Sequence, residues 1–295
     1  MPKSDKQNTD WNKVFWRKFT EEIKLADGEK KKVNIKQMKI GDFLQLNSIS
    51  LKTKLKNLNL DKTNPKEFSM KIGDTGEKAF QRGLIRGNKT INLNVQRLKK
   101  PISIEVWDLE VPVAPGGAGR RPSTDLICGN KVDKSDVFLV ELKFAKGKNR
   151  GDSPIWALIE GLNYCLMVDF HRKFLQKYNV KHNHDLVKKG NYWNNLAHKK
   201  SIPNLVVAAN RQYWINWMRI DEDGMLEFFE IVSNVRKSIF PSKIFISIFN
   251  DQNFEAQKNS KKTYEPSIEE HHRDWNCVET REDLQNILGL EIKNP

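Results

Sequence analysis

The stretch Val137-Phe138-Leu139-Val140-Glu141-Leu142-Lys143-Phe144 decides how the rest of the chain is read. Its β-branched and aromatic residues predict a buried strand. Side chains alternate along a strand, so Phe138, Val140, Leu142 and Phe144 share one face while Glu141 and Lys143 point together from the other. Charges on a buried strand are costly unless they are paired or hold a metal. Upstream, Ser123-Thr124-Asp125-Leu126-Ile127-Cys128 reads as a second strand, with its own carboxylate in an apolar setting. An Asp on one strand and Glu-x-Lys on the next suit phosphodiester hydrolysis. The carboxylates would hold a divalent cation, and the ammonium would orient or deprotonate the attacking water.

Asp125, residues 126–140 and then Glu141-Leu142-Lys143 resemble the signature of the PD-(D/E)xK nuclease superfamily. A helix ahead of the strands carries a Glu in many members, and Gly76-Glu77-Lys78-Ala79-Phe80-Gln81 lies in that place. In the subgroup resembling the RecB nuclease domain, the helix after the Glu-x-Lys strand often carries Gln-x-x-x-Tyr. Glu160-Gly161-Leu162-Asn163-Tyr164 takes that place here. Thr124 replaces the proline of the family's name, with Pro122 nearby, and Glu160 replaces the usual Gln.

The resemblance covers roughly residues 70–250 and implies a metal-dependent DNA endonuclease. Asp125, Glu141, the Leu142 main-chain carbonyl and Glu77 would bind Mg²⁺ or Mn²⁺, with Lys143 placing the nucleophile. Glu160 and Tyr164 would contact the substrate strand or support Lys143. Restriction, phage defence, repair and mobile-element maintenance are the settings it implies. RNA is the alternative substrate, and a non-catalytic nucleic-acid-binding module the alternative function. A homodimer would allow cuts in both strands.

Read without the resemblance, each residue also has a plainer role. Glu77 can be a first-turn glutamate favoured by the helix dipole. Glu160 and Tyr164, four apart on one helical face, can be a polar pair at the edge of the core. Glu141 and Lys143 can be a buried ion pair with no metal.

The formal charge of +14 favours a polyanionic partner. Three basic groups lie near the proposed site: Arg120 and Arg121, which end the Gly116-Gly117-Ala118-Gly119 turn, and the loop Lys146-Gly147-Lys148-Asn149-Arg150. We read Arg120, Arg121, Lys146 and Lys148 as phosphate contacts. No helix-opening fingerprint follows the glycines, so a dinucleotide site has little support.

Cys128, Cys165 and Cys277 are widely spaced and odd in number, which predicts reduced thiols and a cytoplasmic setting. No run approaches the length of a membrane span, and the start has no apolar signal core. His182-Asn183-His184 and His271-His272 lack partners at zinc-finger spacing.

In chain order, residues 1–69 form a basic accessory segment, with Trp11, Phe15, Trp16 and Phe19 at helical spacing. The nuclease-like core spans 70–250. Asp74 or Thr75 caps its first helix, on which Glu77, Phe80, Gln81 and Leu84 share one face, and Gly87 ends it. Ile102–Trp107 alternates as a strand, Ser153-Pro154 opens the second helix, and Leu205–Asn210 is a fourth strand. Trp214–Ile220 and Lys243–Phe249 read as further strands, with Asp221–Gly224 as a turn. The tail 251–295 reads as polar and loop-like to about 275, then as a short amphipathic helix from Arg281. This order predicts an α/β, restriction-endonuclease-like mixed central β-sheet flanked by helices, with an αβββαβ core and terminal elaborations.

Overall fold

A computed structural model describes the backbone of 20–24 and 30–34, and residues 76–290 apart from 87–89, 113–122, 134–135, 148–150, 179–202, 221, 238–242, 255, 259–263 and 267. The aromatic stripe at 11–19, the caps Asp74, Thr75 and Gly87, and His182, His184 and His198 lie outside the described residues. Strands β1 (Thr20–Lys24) and β2 (Lys30–Asn34) pair antiparallel, Thr20 opposite Asn34.

The remaining strands are β3 (Thr90–Val95), β4 (Ile102–Pro112), β5 (Ser123–Asn130), β6 (Val137–Lys143), β7 (Asn204–Asn210), β8 (Ile244–Phe249), β9 (Ala256–Lys258), β10 (Tyr264–Pro266) and β11 (Asp274–Val278). The helices are α1 (Glu77–Arg86), α2 (Pro154–Tyr178), α3 (Arg211–Ile220), α4 (Glu222–Arg236) and α5 (Arg281–Leu288). Seven strands form a closed mixed barrel in the order β11-β3-β4-β5-β6-β7-β8.

The barrel corrects the expected restriction-endonuclease-like open sheet. The elements expected for the αβββαβ series occur as α1, β4, β5, β6, α2 and β7, but a further strand, β3, stands between α1 and β4. They do not make an open sheet, because β11 pairs antiparallel with β8 and parallel with β3 and joins the two edges. Closure gives both edge strands a partner, where open edges would otherwise invite association. The tail thus supplies a barrel strand where a polar loop was expected. Its pattern is short: Trp275, Cys277 and Val278 are buried, while Asn276 is exposed.

Every residue of β6, β7 and β8 is buried. These strands run parallel to one another and are covered on both faces, so their sequences are apolar throughout rather than alternating. Helix α2 crosses from β6 to β7 and packs over both, while α3 lies against β7 and β8. Helix α1 rests on β4 and β10, its Phe80 ring stacked on Phe249 at 4.5 Å between centroids.

Two sequence expectations fail beside this core. Trp214–Ile220 belongs to helix α3, whose buried residues Tyr213, Trp214, Trp217 and Met218 follow a helical spacing. The aromatic content suggested a strand; the period is that of a helix. Asn210 caps it, its Oδ1 accepting from Tyr213 N at 3.3 Å. Of the turn expected at 221–224, Glu222, Asp223 and Gly224 instead open α4, with Glu222 and Asp223 in its first turn. Helix α2 begins as expected at Pro154, with Trp156 N donating to Ser153 Oγ at 3.3 Å.

A bulge in β4 fixes one glycine. The register with β5 shifts between Val106 and Asp108, and a Cβ on Gly129 would stand 1.7 Å from the Trp107 ring. Gly129→Ala is expected to destabilise the fold by about 1–3 kcal/mol through overpacking. Urea denaturation measures this; an unchanged midpoint would contradict the packing of Trp107 on Gly129.

Candidate active site

The site forms where two paired strands part. Strand β5 stays paired with β4 as far as Ser123, but its last pair with β6 is Leu126 opposite Val140. Beyond that point side chains replace the ladder. Thr124 Oγ1 donates to the Val140 carbonyl at 3.3 Å, and the Leu142 N–H donates to Asp125 Oδ2 at 2.7 Å. Thr124 therefore bridges the parting strands. In an extended strand a residue's N–H and C=O leave by the same edge, so the Leu142 carbonyl also faces the notch.

The surrounding elements supply the rest. From α1, Gln81 Nε2 donates to Asp125 Oδ1 at 2.9 Å. Lys143 Nζ donates to Glu141 Oε1 at 2.7 Å and to Glu160 Oε2 of α2 at 3.1 Å. The Tyr164 hydroxyl donates to Glu160 Oε1 at 2.9 Å, one helical turn along. Glu160 and Tyr164 thus make a chain that ends on Lys143.

Charge is crowded here. Burial and then the negative charge of Glu77 push Asp125 from 3.8 up to about 8. Burial and then the charge of Asp125 hold Glu141 well above the ordinary carboxylate range. Glu77 is raised mainly by burial, with Lys143 opposing and Glu160 reinforcing the shift. Burial acts to lower Lys143, yet Glu141, Glu160 and Asp125 outweigh it and carry its pKa above that of an ordinary lysine. Lys143 therefore stays an ammonium at neutral pH.

The donor set fits a small hard cation. Glu141 Oε2 is buried with no hydrogen-bond partner, a cost that a cation would relieve. Each Asp125 oxygen accepts one hydrogen bond, which leaves lone pairs on both. Among the described residues no three His, Cys, Asp or Glu side chains are gathered as a ready cage. Magnesium is commonly held by one or two carboxylates, with waters and substrate phosphates completing its shell. Asp125, Glu141 and the Leu142 carbonyl meet that description, and Glu77 acts on Asp125 through its charge.

No family model matches the chain, and no curated protein or solved structure matches it either.

Of the phosphate-contact candidates, Lys146 is exposed on the loop leaving β6, whereas Arg120, Arg121 and Lys148 lie outside the described residues. The sequence placed Gln81 on the right helical face but gave it no partner; its link to Asp125 joins α1 to β5. His271 and His272 have structural partners: both ring Nε2 atoms meet the Gln252 carbonyl, at 3.1 and 2.7 Å. All three cysteines are free and buried. Among the described residues no helix is long and apolar enough to cross a membrane.

Proposed function

We propose that the protein is a metal-dependent nuclease that hydrolyses phosphodiester bonds of DNA, with Asp125, Glu141, Lys143 and Glu77 at its centre. The observation that carries this reading is the orphaned Glu141 Oε2, buried in a notch with Asp125 and flanked by an ammonium. A structural ion pair explains Glu141 and Lys143. With Glu160 it forms a network around Lys143, but it does not explain two further acidic groups, Glu77 and Asp125, near enough for the charge of one to raise the other.

A divalent cation held by Asp125, Glu141 and the Leu142 carbonyl would neutralise charge on the scissile phosphate and make water a better nucleophile. The chain's own part is to fix donors before the reaction begins. Lys143 Nζ, held between Glu141 and Glu160, presents a permanent positive charge to the phosphate oxygens where negative charge develops. Tyr164 keeps Glu160 turned toward Lys143. Gln81 and the Leu142 N–H fix both oxygens of Asp125, so its carboxylate needs no reorientation. The net charge of +14 brings the polyanion to this acidic notch.

Asp125→Ala with Glu141→Ala separates catalysis from binding. Cleavage is expected to fall by about 10³-fold or more, while salt-sensitive binding of a labelled oligonucleotide persists. Cleavage at the wild-type rate by the double variant would sink the proposal.

A further inference from the structure

The connection from β6 to α2 leaves Lys143 and leads to the helix that carries Glu160; Asn210 at the end of β7 and Tyr213 and Asn216 of helix α3 hold it at three points. Asn210 behaves as a surrogate strand partner just past the last β6–β7 pair, Lys143 opposite Ala209. Its Oδ1 accepts from Ala145 N at 2.9 Å and its Nδ2 donates to Ala145 O at 2.8 Å. The same amide donates to Asp251 Oδ2 at 2.9 Å, which ties the loop to the residues after β8. Asn216 Nδ2 donates to the Gly147 carbonyl at 3.0 Å, and Gln212 Nε2 braces Asn216 Oδ1 at 2.7 Å. At the far end the buried Tyr213 donates its hydroxyl to the Asp152 carbonyl at 2.7 Å. Gly147 takes the left-handed φ of 59° that lets the chain turn between these anchors.

Such anchoring exceeds what joining a strand to a helix requires. A connection of this kind could be held at its ends alone. Here Gly147 is held as well, next to Lys146, which is exposed while its neighbour Ala145 is buried. Lys146 is three residues beyond Lys143, so their Cα atoms stand at most about 10 Å apart.

We propose that α3 is a positioning helix: Asn216, braced by Gln212, fixes the Gly147 carbonyl so that Lys146 meets a backbone phosphate beside the scissile one. The proposal rests on the nuclease reading of the neighbouring notch. Lys146 is the phosphate contact, and Asn216 acts only through it. Holding Gly147 in advance spares the part of the ordering cost that placing Lys146 would otherwise incur on binding.

The test is a double-mutant cycle on the full chain with Asn216→Ala, Lys146→Ala and both together. Steady-state cleavage of a DNA oligonucleotide with Mn²⁺ gives kcat and KM. Binding of the same fluorescent oligonucleotide in EDTA at several salt concentrations gives the salt slope. Lys146→Ala is expected to raise KM about five- to tenfold and to flatten the salt slope by about one contact. Asn216→Ala is expected to move KM in the same direction, with most of its loss in KM and a melting temperature within about 2 °C of wild type. The double variant is expected to be no worse than Lys146→Ala alone. Fully additive effects, or a loss in Asn216→Ala that falls on kcat instead, would overturn the positioning role. Wild type that cuts, with Asn216→Ala indistinguishable from it, would overturn this inference and spare the nuclease. Wild type that neither cuts nor binds would overturn both.

Discussion

Lys143→Ala is expected to lower metal-dependent cleavage by about 10³-fold, because it removes a charge fixed in advance of the reaction. Lys143 is the cation held between Glu141 and Glu160. Its partners Glu141 and Glu160 are both acidic, and the exposed Lys146 leaves β6 in the loop rather than in the notch. The same change strips Glu141 of its one partner, so that both its carboxylate oxygens are buried and bare. Breaking a buried pair in this way costs about 3–5 kcal/mol unless the remaining group takes up a proton. Glu141 is already raised by burial and by Asp125, so protonation should spare part of that cost. The metal-free variant should therefore melt below wild type near pH 8 and recover as the pH is lowered. Single-turnover cleavage and thermal melts on the same preparation check both halves. Wild-type cleavage by a folded Lys143→Ala protein would remove Lys143 from the mechanism.

Asp125→Asn is expected to trade activity for stability. In the metal-free fold Asp125 holds its proton up to about pH 8, whereas the unfolded chain releases it near 3.8. Between those values the native state binds more protons than the unfolded one, so stability falls as pH rises through the window. The contribution is fully present below about pH 4 and is lost by about pH 8. Asparagine carries no charge to bury. Its carbonyl can accept from the Leu142 N–H, and Gln81 can turn its own carbonyl toward the new amide. The variant should thus show a flatter decline in melting temperature from pH 5 to 8 and should melt above wild type at pH 8.

The cation response should reverse that ranking. A divalent ion at about a hundredfold excess over its Kd stabilises by about 2.7 kcal/mol, or roughly 5–10 °C for a domain of this size. Wild type at pH 8 should show that rise with Mn²⁺, and Asp125→Asn should lose most of it. Equal rises in both proteins would place the cation elsewhere. Equal pH slopes without metal would mean that Asp125 is not the group holding the proton.

The site could be read from the sequence because its charges break a pattern. Glu141 and Lys143 interrupt a strand whose other residues demand burial, and Asp125 does the same in β5. Helices α1 and α2 were legible from their periodicity, which put Glu77 and Gln81 on one face and Glu160 and Tyr164 on another. Barrel closure was not. It depends on β11 meeting β3 with Asp274 opposite Asn92, partners remote in sequence that no local pattern links. Strand β3 carries an alternating signal, Ile91 and Leu93 buried between polar neighbours, but three asparagine or threonine residues dilute it. Helix α3 was masked by its composition, since tryptophan and isoleucine favour strands while the spacing of Tyr213, Trp214, Trp217 and Met218 is helical. The cost of that misreading was the Asn210, Tyr213 and Asn216 contacts that hold the loop beside the site.

The most direct test of the central claim is cleavage of circular and linear DNA, double- and single-stranded, with Mg²⁺ or Mn²⁺ against EDTA. Wild type would be run beside Lys143→Ala. The account predicts that wild type nicks closed circles only with a divalent ion, and that the variant leaves them intact under the same conditions. No cutting of any substrate with either metal, or equal cutting by the two proteins, would contradict it.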